Sequence, residues 1–584
     1  MRAETIDQAI RALVAVYGDG VRTAREGART LVRVSDVDLP PGCRPPTTPM
    51  LIVFDRDQAK PIPHVQPEQL LANGRAPRST STQIVGGESW MQFSFNIPWA
   101  EGQGIIRSSP PPVSGSPRMT EAALRVPVGL GHSLREEVFR QGRHEYVALG
   151  LVASATLAGG ETLLLRRIFT LPEDEYVDAP GHDGAWRGAA MIPAIEAAVD
   201  GGLGLVVFHA HAHDGPPRLS GDDRESAGRL LPMFAARVPG RPHGSVVLSR
   251  SHAAGLIAMP GAPAREMTLD VRWLGASIVD WRAGTEPRSS DSSLAFARQR
   301  LVVHDRGQLT LGGARVAVVG LGGGGSHVAQ QLAHLGVGEL ILVDPDRVSR
   351  TDRHRLVGMM TLDVLLRQSK TRMIRRAIRR IGMGTRCEAV TERIPGPVAL
   401  AALARTDVIV GCVDNLHARA DLQELAWRFL IPYVDVGVNI RAIKEPEPHG
   451  PRVAIGGNVL TLIPGGFCMW CSGFLSKEKL ATELRGPDRS YFENREGEAQ
   501  VVSLNGLVAS QAVTEVLQLF TGFGGTGVGL SDLALDGRPG TQRGFRKLDG
   551  VRGTLEDWGA WRRPDCSFCN STLAAGVVAW KTPR

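Results

Sequence analysis

The chain is expected to be a multi-domain α/β protein whose C-terminal half folds as a doubly wound parallel sheet. Three observations carry that expectation. At 584 residues the chain exceeds what one hydrophobic core organises, and three domains fit its length. From residue 294 onward, strand and helix signals alternate, the pattern of a parallel sheet with helices on both faces. Within that half, Val316–Asp346 reads as a buried strand, a glycine-rich turn, a helix, a second strand and an acidic tip.

Taken in order, residues 1–100 form a small α+β module. A helix-like segment, Thr5–Tyr17, precedes strand-like runs at 31–34 and 50–54. Residues 101–118 are rich in Gly, Ser and Pro and read as a linker. Residues 119–275 alternate apolar strands with polar turns, as an α+β domain does, and 276–293 is a second soft stretch. In 294–584 strands are expected at 315–320, 339–343, 386–390, 407–412 and 432–436. Helices are expected at 325–336, 370–381, 416–430 and 504–520.

Composition narrows the class. A hydrophobic share of 43% and a charged share of 22% are ordinary for a globular protein. No apolar run reaches the roughly 18–20 residues of a membrane helix. The start, MRAETIDQAI, lacks an apolar signal core, so a cytoplasmic protein is expected. The net charge of +7 reflects many arginines, without a run of five or six bases or an aromatic-interleaved basic patch, so no nucleic-acid partner is expected. The seven cysteines are an odd number, which argues against a disulfide framework. Four of them form two C-x-x-C pairs, which points to metal.

The turn glycines Gly320, Gly322, Gly323, Gly324 and Gly325, followed by Ser326, let backbone pass close to phosphate at a helix N-terminus. Asp344 ends the next strand, where a carboxylate accepts from ribose hydroxyls. So far an NAD- or FAD-dependent oxidoreductase with a Rossmann-like sheet fits equally well. The surrounding residues add more: Asp346, Arg355, Lys370 opening the next helix, Asp414 and Asn415 after the strand VIVGC, and Arg298 ahead of the first strand. Such a set of cations suits attack of a carboxylate on an α-phosphate, because charge builds on the phosphoryl oxygens and the leaving pyrophosphate. Asp414 suits Mg²⁺, which prefers carboxylate and phosphate oxygens.

With these residues the chain resembles the ubiquitin-activating superfamily, including the ThiF-like bacterial enzymes that adenylate the sulfur carriers of thiamin and molybdopterin synthesis. The resemblance covers 294–584 and rests on RQ at 298–299, GLGGGGS at 320–326, LVDPD at 342–346, Arg355, Lys370, VDN at 413–415 and the C-x-x-C pairs. It implies ATP and Mg²⁺ as cofactors, with Asp344 on the ribose, Arg355 and Lys370 on the triphosphate, and Asp414 on Mg²⁺. It implies a homodimer in which Arg298 reaches the partner's site. It also implies adenylation of the C-terminal carboxylate of a ubiquitin-like or sulfur-carrier protein. The chain has Asp352 where the family has Asn, which puts an acid near phosphate.

Cys468, Cys471, Cys566 and Cys569 offer the four thiolates of a structural, closed zinc site. Ubiquitin-type activators hand the acyl group to a cysteine in the loop after the first knuckle, here about 473–500, which holds none. Cys387 and Cys412 read as strand packing residues. Stopping at the acyl-adenylate, or transfer to a hydroxyl or an external thiol, all stay open.

In the middle domain His209, His211 and His213 recur at spacing two on an apolar strand, which would put them on one face, and Ser220 and Asp223 follow. Two imidazoles, a carboxylate and water make a catalytic zinc site, with Glu145 as the base. The pattern resembles the JAB/MPN metalloproteases. That resemblance implies a second zinc on His211, His213 and Asp223, with Ser220 supporting the oxyanion. Six residues rather than seven separate His213 from Ser220, and the proline after the second histidine is missing, so a degenerate scaffold stays open. Residues 1–100 vaguely resemble bacterial ubiquitin-conjugating-type domains, but the one thiol there, Cys43, lies in an early turn and receives no catalytic role. The combination implies a bacterial ubiquitin-like conjugation pathway, with a ubiquitin-conjugating-like protein as a further partner. A catalytically inactive scaffold is the remaining alternative.

Overall fold

The structure is a computed structural model, and its chain divides into two compact units, Met1–Pro117 and Arg118–Arg584. It describes 122–281 (apart from 128, 143, 158–159 and 178–184), 294–443, 452–485, 500–523 and 544–574 (apart from 559). Within the first unit it describes 21–26, 29–38, 47–55, 62–65, 81–85, 88–92 and three residues before them.

The first unit holds a six-stranded sheet in the order β1-β2-β3-β4-β6-β5. Its strands are β1 (Val21–Glu26), β2 (Arg29–Asp38), β3 (Thr47–Asp55), β4 (Ile62–Val65), β5 (Ser81–Val85) and β6 (Glu88–Gln92), and all pairings are antiparallel. The apolar runs expected at 31–34 and 50–54 form the centres of β2 and β3, where Val32, Val34 and Ile52 are buried. Of the helix expected at Thr5–Tyr17, Asp7, Ile10 and Val14 are helical; the rest, like Cys43, lies outside the described residues.

The second unit begins with β7 (Ala122–Val126), α1 (Leu130–Val138), β8 (Ala148–Leu157), β9 (Gly160–Thr170), α2 (Ile192–Gly201), β10 (Gly204–Ala210) and α3 (Gly221–Arg237). Then come β11 (His243–Leu248), β12 (Ala253–Ala258), β13 (Arg265–Trp273) and β14 (Val279–Trp281). The strand order is β12-β11-β10-β8-β9-β7-β13-β14, and β12 also pairs with β13, so the sheet closes on itself. Closure removes the edges on which an open sheet would aggregate. Because β14 pairs with β13, the strands run to Trp281, past the linker start expected at 276.

The C-terminal part contains α4 (Ala297–Gly313), β15 (Arg315–Val319), α5 (Gly323–His334), β16 (Glu339–Val343), α6 (Thr361–Leu365), α7 (Lys370–Ile381), β17 (Arg386–Val390), α8 (Pro397–Ala404), β18 (Val408–Gly411) and α9 (Leu416–Phe429). It continues with β19 (Tyr433–Ile443), β20 (Arg452–Leu462), α10 (Lys477–Arg485), α11 (Val502–Thr521), β21 (Phe545–Asp549), β22 (Thr554–Asp557) and α12 (Ser567–Ala574). The strands run β17-β16-β15-β18-β19 in parallel, and β20, β21 and β22 extend the sheet antiparallel. Val316, Ala317 and Val318 are fully buried, as a strand covered by helices on both faces must be. The order reverses between β15 and β18, and open sheets of this kind bind ligands at the carboxyl ends flanking that point.

Three arginines of the closed sheet dock it onto the parallel sheet. Arg125 donates to the Phe429 carbonyl at 2.7 Å, and Arg166 to the Trp427 carbonyl at 2.9 Å and to that of Arg428. Those carbonyls end α9 beyond its i→i+4 ladder, and that of Trp427 also accepts from the Leu430 N–H at 3.4 Å. Arg272 bridges Asp280 at 2.7 Å and Asp407 at 2.5 Å. Burial lowers the pKa of Arg125 to about 10 and that of Arg166 to about 9, since the carbonyls stand in for water without a full opposite charge. Among the described residues no helix is long and apolar enough to cross a membrane.

Candidate active site

The turn after β15 is built for close approach. Gly320 has φ of +84°, and a Cβ there would stand 2.6 Å from the Cys412 carbonyl oxygen. A Cβ on Gly325 would stand 1.8 Å from the Gly320 oxygen. The Gly320 N–H donates to Val343 at 2.8 Å, tying the turn to β16. The helix that follows starts without a side-chain cap and without an acid in its first turn, leaving N–H groups and the positive dipole end for an anion. Asp344 is buried; its oxygens accept from Leu321 N at 2.6 Å and Asp346 N at 2.8 Å. Burial pushes its pKa up, against the pull of Lys370 and of those two amides.

The cations converge on the same place. Lys370 is buried, with Nζ 2.9 Å from Asp346 Oδ2. Burial lowers its pKa, but Asp344 and Asp346 outweigh that, so it stays an ammonium. Arg355 donates to Asp352 Oδ1 at 2.9 and 3.2 Å, while Asp352 Oδ2 accepts from the Ser349 amide at 2.9 Å and hydroxyl at 2.8 Å. Asp352 is therefore no loose charge beside phosphate; it orients Arg355. Asp414 is exposed at the mouth, and Asn415 caps α9 through Ala418 N at 2.7 Å.

A cavity of about 490 Å³ joins Gly320, Asp344, Arg355, Lys370, Asp414 and Asn415. It also includes Glu392, Arg393, Asp421, Gln500 and Asn505, which sequence reasoning missed. Asp421 had a local signal: it lies one turn past His417, another lining residue, on the same face of α9. Burial, with help from Glu424, raises the Asp421 carboxyl to about 6. Asn505 arrives from α11, and a Cβ on Gly323 would stand 2.2 Å from its Nδ2, so that glycine is required by helix packing.

Three expected nucleotide residues lie elsewhere. The Ser326 hydroxyl is buried, donating to the Gly323 carbonyl at 2.9 Å and accepting from Val357 N at 3.2 Å, so it braces the helix start. Gly325 packs under Gly320 and does not line the cavity. Arg298 is exposed on α4, off the cavity of its own chain.

The four knuckle cysteines come together. Cys468 Sγ lies 3.6 Å from Cys471 Sγ and 3.7 Å from Cys566 Sγ, and Cys471 Sγ lies 3.8 Å from Cys569 Sγ. A tetrahedron with metal–sulfur bonds of about 2.3 Å has edges of about 3.8 Å, so the sulfurs already have the spacing zinc takes.

A second cluster forms where β10 ends, and it differs from the expected set. Glu145, His209 and His211 have ligand atoms within 4.8 Å of one another. His209 Nε2 lies 2.9 Å and His211 Nε2 3.7 Å from the Asp223 carboxylate. His209 Nε2 is buried and faces the Asp223 carboxylate, a pair of groups that can hold a metal together. His213 is not part of the cluster. The strand stops at Ala210, the His213 N–H turns back onto the His211 carbonyl at 2.7 Å, and the ring is exposed. The pair is thus His209 and His211, and eight residues separate His211 from Ser220. Ser220 caps α3 in a capping box with Asp223.

Comparison with known proteins bears on the same half of the chain. The model of the ThiF family matches residues 296–568. The molybdopterin-synthase adenylyltransferase of Salmonella typhimurium is 30% identical over 169 residues, which cover 27% of this chain and 67% of that protein. The chain belongs to the ThiF family. A second relative of this ThiF-family chain, the mouse adenylyltransferase and sulfurtransferase MOCS3, is 32% identical over 216 residues, 34% of this chain and 46% of that protein. The chain thus spans about half the length of that relative. Among solved structures, that of Escherichia coli MccB with succinimide covers 48% of this chain and 75% of its own at 19% identity, with a TM-score of 0.37. Cys412, which lines the cavity, is a poor nucleophile because burial raises its pKa, and burial likewise raises Cys387, at the start of β17, to about 11.

Proposed function

We propose that the chain adenylates the C-terminal carboxylate of a ubiquitin-like or sulfur-carrier protein. The observation that carries this reading is the convergence of Lys370, Arg355 and Asp414 on one cavity, at the strand-order reversal, around a turn only glycine can form. A carboxylate oxygen forms the new bond to the α-phosphorus of ATP, and the bond to the β-phosphate oxygen breaks with its electron pair leaving on pyrophosphate. Lys370 and Arg355 hold the charge that develops, Asp344 holds the ribose, and Asp414 supplies a carboxylate for Mg²⁺, which offsets charge on the leaving group. An oxidoreductase has no use for these cations. In a homodimer the exposed Arg298 would complete the partner's site. With no low-pKa thiol at the cavity, the acyl-adenylate passes to an external nucleophile. The test is exchange of labelled pyrophosphate into ATP with carrier proteins ending in a free glycine carboxylate. Carrier-dependent exchange is the expected result; absence of heat on titrating magnesium-ATP into the chain would sink the reading.

A second reading, favoured by the His209–His211–Asp223 cluster, makes the closed sheet a JAB-type zinc hydrolase trimming or releasing the same partner. Glu145 is then the base for the attacking water, and Ser220 stands beside Asp223 toward the oxyanion. Activation and release in one chain fit a bacterial ubiquitin-like conjugation pathway. Metal analysis should find two zinc per chain in the wild type and one in His209→Ala, while His213→Ala keeps both. Equal zinc in His209→Ala and wild type would reject the second site.

A further inference from the structure

From Arg347 to Arg386 the chain carries twelve lysines and arginines and two acids. Both acids are buried and already used, Asp352 on Arg355 and Asp363 on Arg376. The excess sits on α7. Its inner face is Met373, Ile374 and Ile378; the exposed Arg372 and Arg379 and the half-buried Arg375 lie off that face, and none of the three makes an ion pair among the described residues.

Beyond the short-range pull of the amides and dipole that start α5, the side chains of the nucleotide cavity offer an approaching triphosphate little net positive charge. It is lined by the carboxylates Asp344, Asp346, Glu392, Asp414 and Asp421 against the cations Arg355, Lys370, Arg393 and Arg419. Several of those cations are neutralised where they stand: Lys370 by Asp346, Arg355 by Asp352 and Arg419 by Asp435. Attraction at longer range, before those contacts form, comes from charge beside the mouth. Helix α7 starts at Lys370, which lines the cavity. Arg375 is five residues on, about 7.5 Å of helix rise. That is within the screening length of about 8 Å at physiological salt. Arg379 is about 13.5 Å along and largely screened. Arg353 adds charge two residues before Arg355. Residues 347–386 contain no Phe, Tyr or Trp, so the face lacks the stacking platform of a nucleic-acid surface.

We propose that the arginine face of α7 steers magnesium-ATP into the cleft, raising its association rate without contacting it once bound. This rests on the reading that the cavity takes ATP. Stopped-flow mixing with a fluorescent ATP analogue and Mg²⁺ tests it. In Arg372→Glu/Arg375→Glu the association rate constant should fall about tenfold at low salt. Arg379→Glu should lower it less than about twofold, the dissociation rate should hold, and the difference should vanish near 0.5 M salt, roughly where screening shortens below the helix pitch. The milder Arg372→Gln/Arg375→Gln should give an intermediate loss and covers any misfolding of the charge reversal, with melting temperatures read alongside. Equal association rates in all variants, with the analogue still bound, would overturn the proposal and leave the face to an acidic protein. A wild type that binds no analogue would instead remove the adenylation reading, and steering with it.

Discussion

Lys370→Ala is expected to lower pyrophosphate exchange by about 10³-fold, with a smaller loss of ATP affinity. The asymmetry follows from where the charge goes. In the ground state the triphosphate is already paired with Mg²⁺, so one ammonium adds modestly to binding. In the transition state charge accumulates on the oxygens of the breaking bond, and a fixed cation in a site shielded from water is worth much more there. Lys370 is fixed: its Nζ is held at 2.9 Å by Asp346 and its backbone N–H donates to the Asp346 carbonyl at 3.0 Å. Lys370→Arg should not rescue, because the buried slot is shaped for an ammonium and a planar fork cannot occupy it without moving Asp346. A pH signature accompanies the loss. Burial already raises the Asp344 pKa, and Lys370 opposes that rise. Without Lys370 the pKa climbs further. In the proposed complex it is the carboxylate form that accepts from ribose hydroxyls, so ATP binding, full above that pKa, should be lost at a higher pH on acidification than in the wild type. Exchange within threefold of wild type in Lys370→Ala would end the proposed mechanism.

What could be read from the residues follows from how each element is buried. Strands β15, β16 and β18 are covered on both faces, so they appear as unbroken apolar runs, and their bounds match expectation within a residue or two. The antiparallel addition was not legible. β20 carries Gly456 and Gly457 mid-strand, and β22 is exposed along its whole length, so neither shows an apolar period. The cavity residues that a motif fixes locally, Gly320, Asp344, Lys370 and Asp414, were legible. Glu392, Gln500 and Asn505 were not, because only the crossovers of the sheet bring them to the mouth. The histidines failed for a definable reason: spacing by two places side chains on one face only while the chain stays extended; β10 ends at Ala210, His211 is still held by its N–H on the Leu248 carbonyl at 2.9 Å, and the chain turns before His213. Arg125, Arg166 and Arg272 gave no sign of joining two halves, since a lone arginine on an apolar strand does not name its partner.

Removing the knuckle zinc should do more than loosen the chain end. The metal would close a gap of 94 residues between Cys471 and Cys566, tying the turn after β20 to the start of α12. Both tied segments pack on α9: Gln423 Oε1 accepts from the Met469 N–H at 2.5 Å, and the Phe568 and Trp427 rings lie 6.0 Å apart. The opposite end of α9 carries Asn415 and follows Asp414 at the nucleotide cavity. Its C-terminal carbonyls are the ones gripped by Arg125 and Arg166. A structural zinc contributes on the order of 10 kcal/mol where it organises a small motif, and here part of that supports one helix serving three contacts. Stripping the zinc with a chelator, or replacing Cys569 by Ser, is therefore expected to lower the melting temperature by at least about 5 °C. Carrier-dependent exchange should fall with it even below that melting point, because the frame of Asp414 slackens. Cys387→Ser is the control; that thiol lies away from the knuckles and should change neither quantity. The Arg563 N–H to Cys471 Sγ contact at 3.4 Å would orient one thiolate toward the metal, so Arg563→Pro should weaken zinc retention without touching a ligand. A zinc-free chain with an unchanged melting temperature and unchanged exchange would reduce the cysteine cluster to packing.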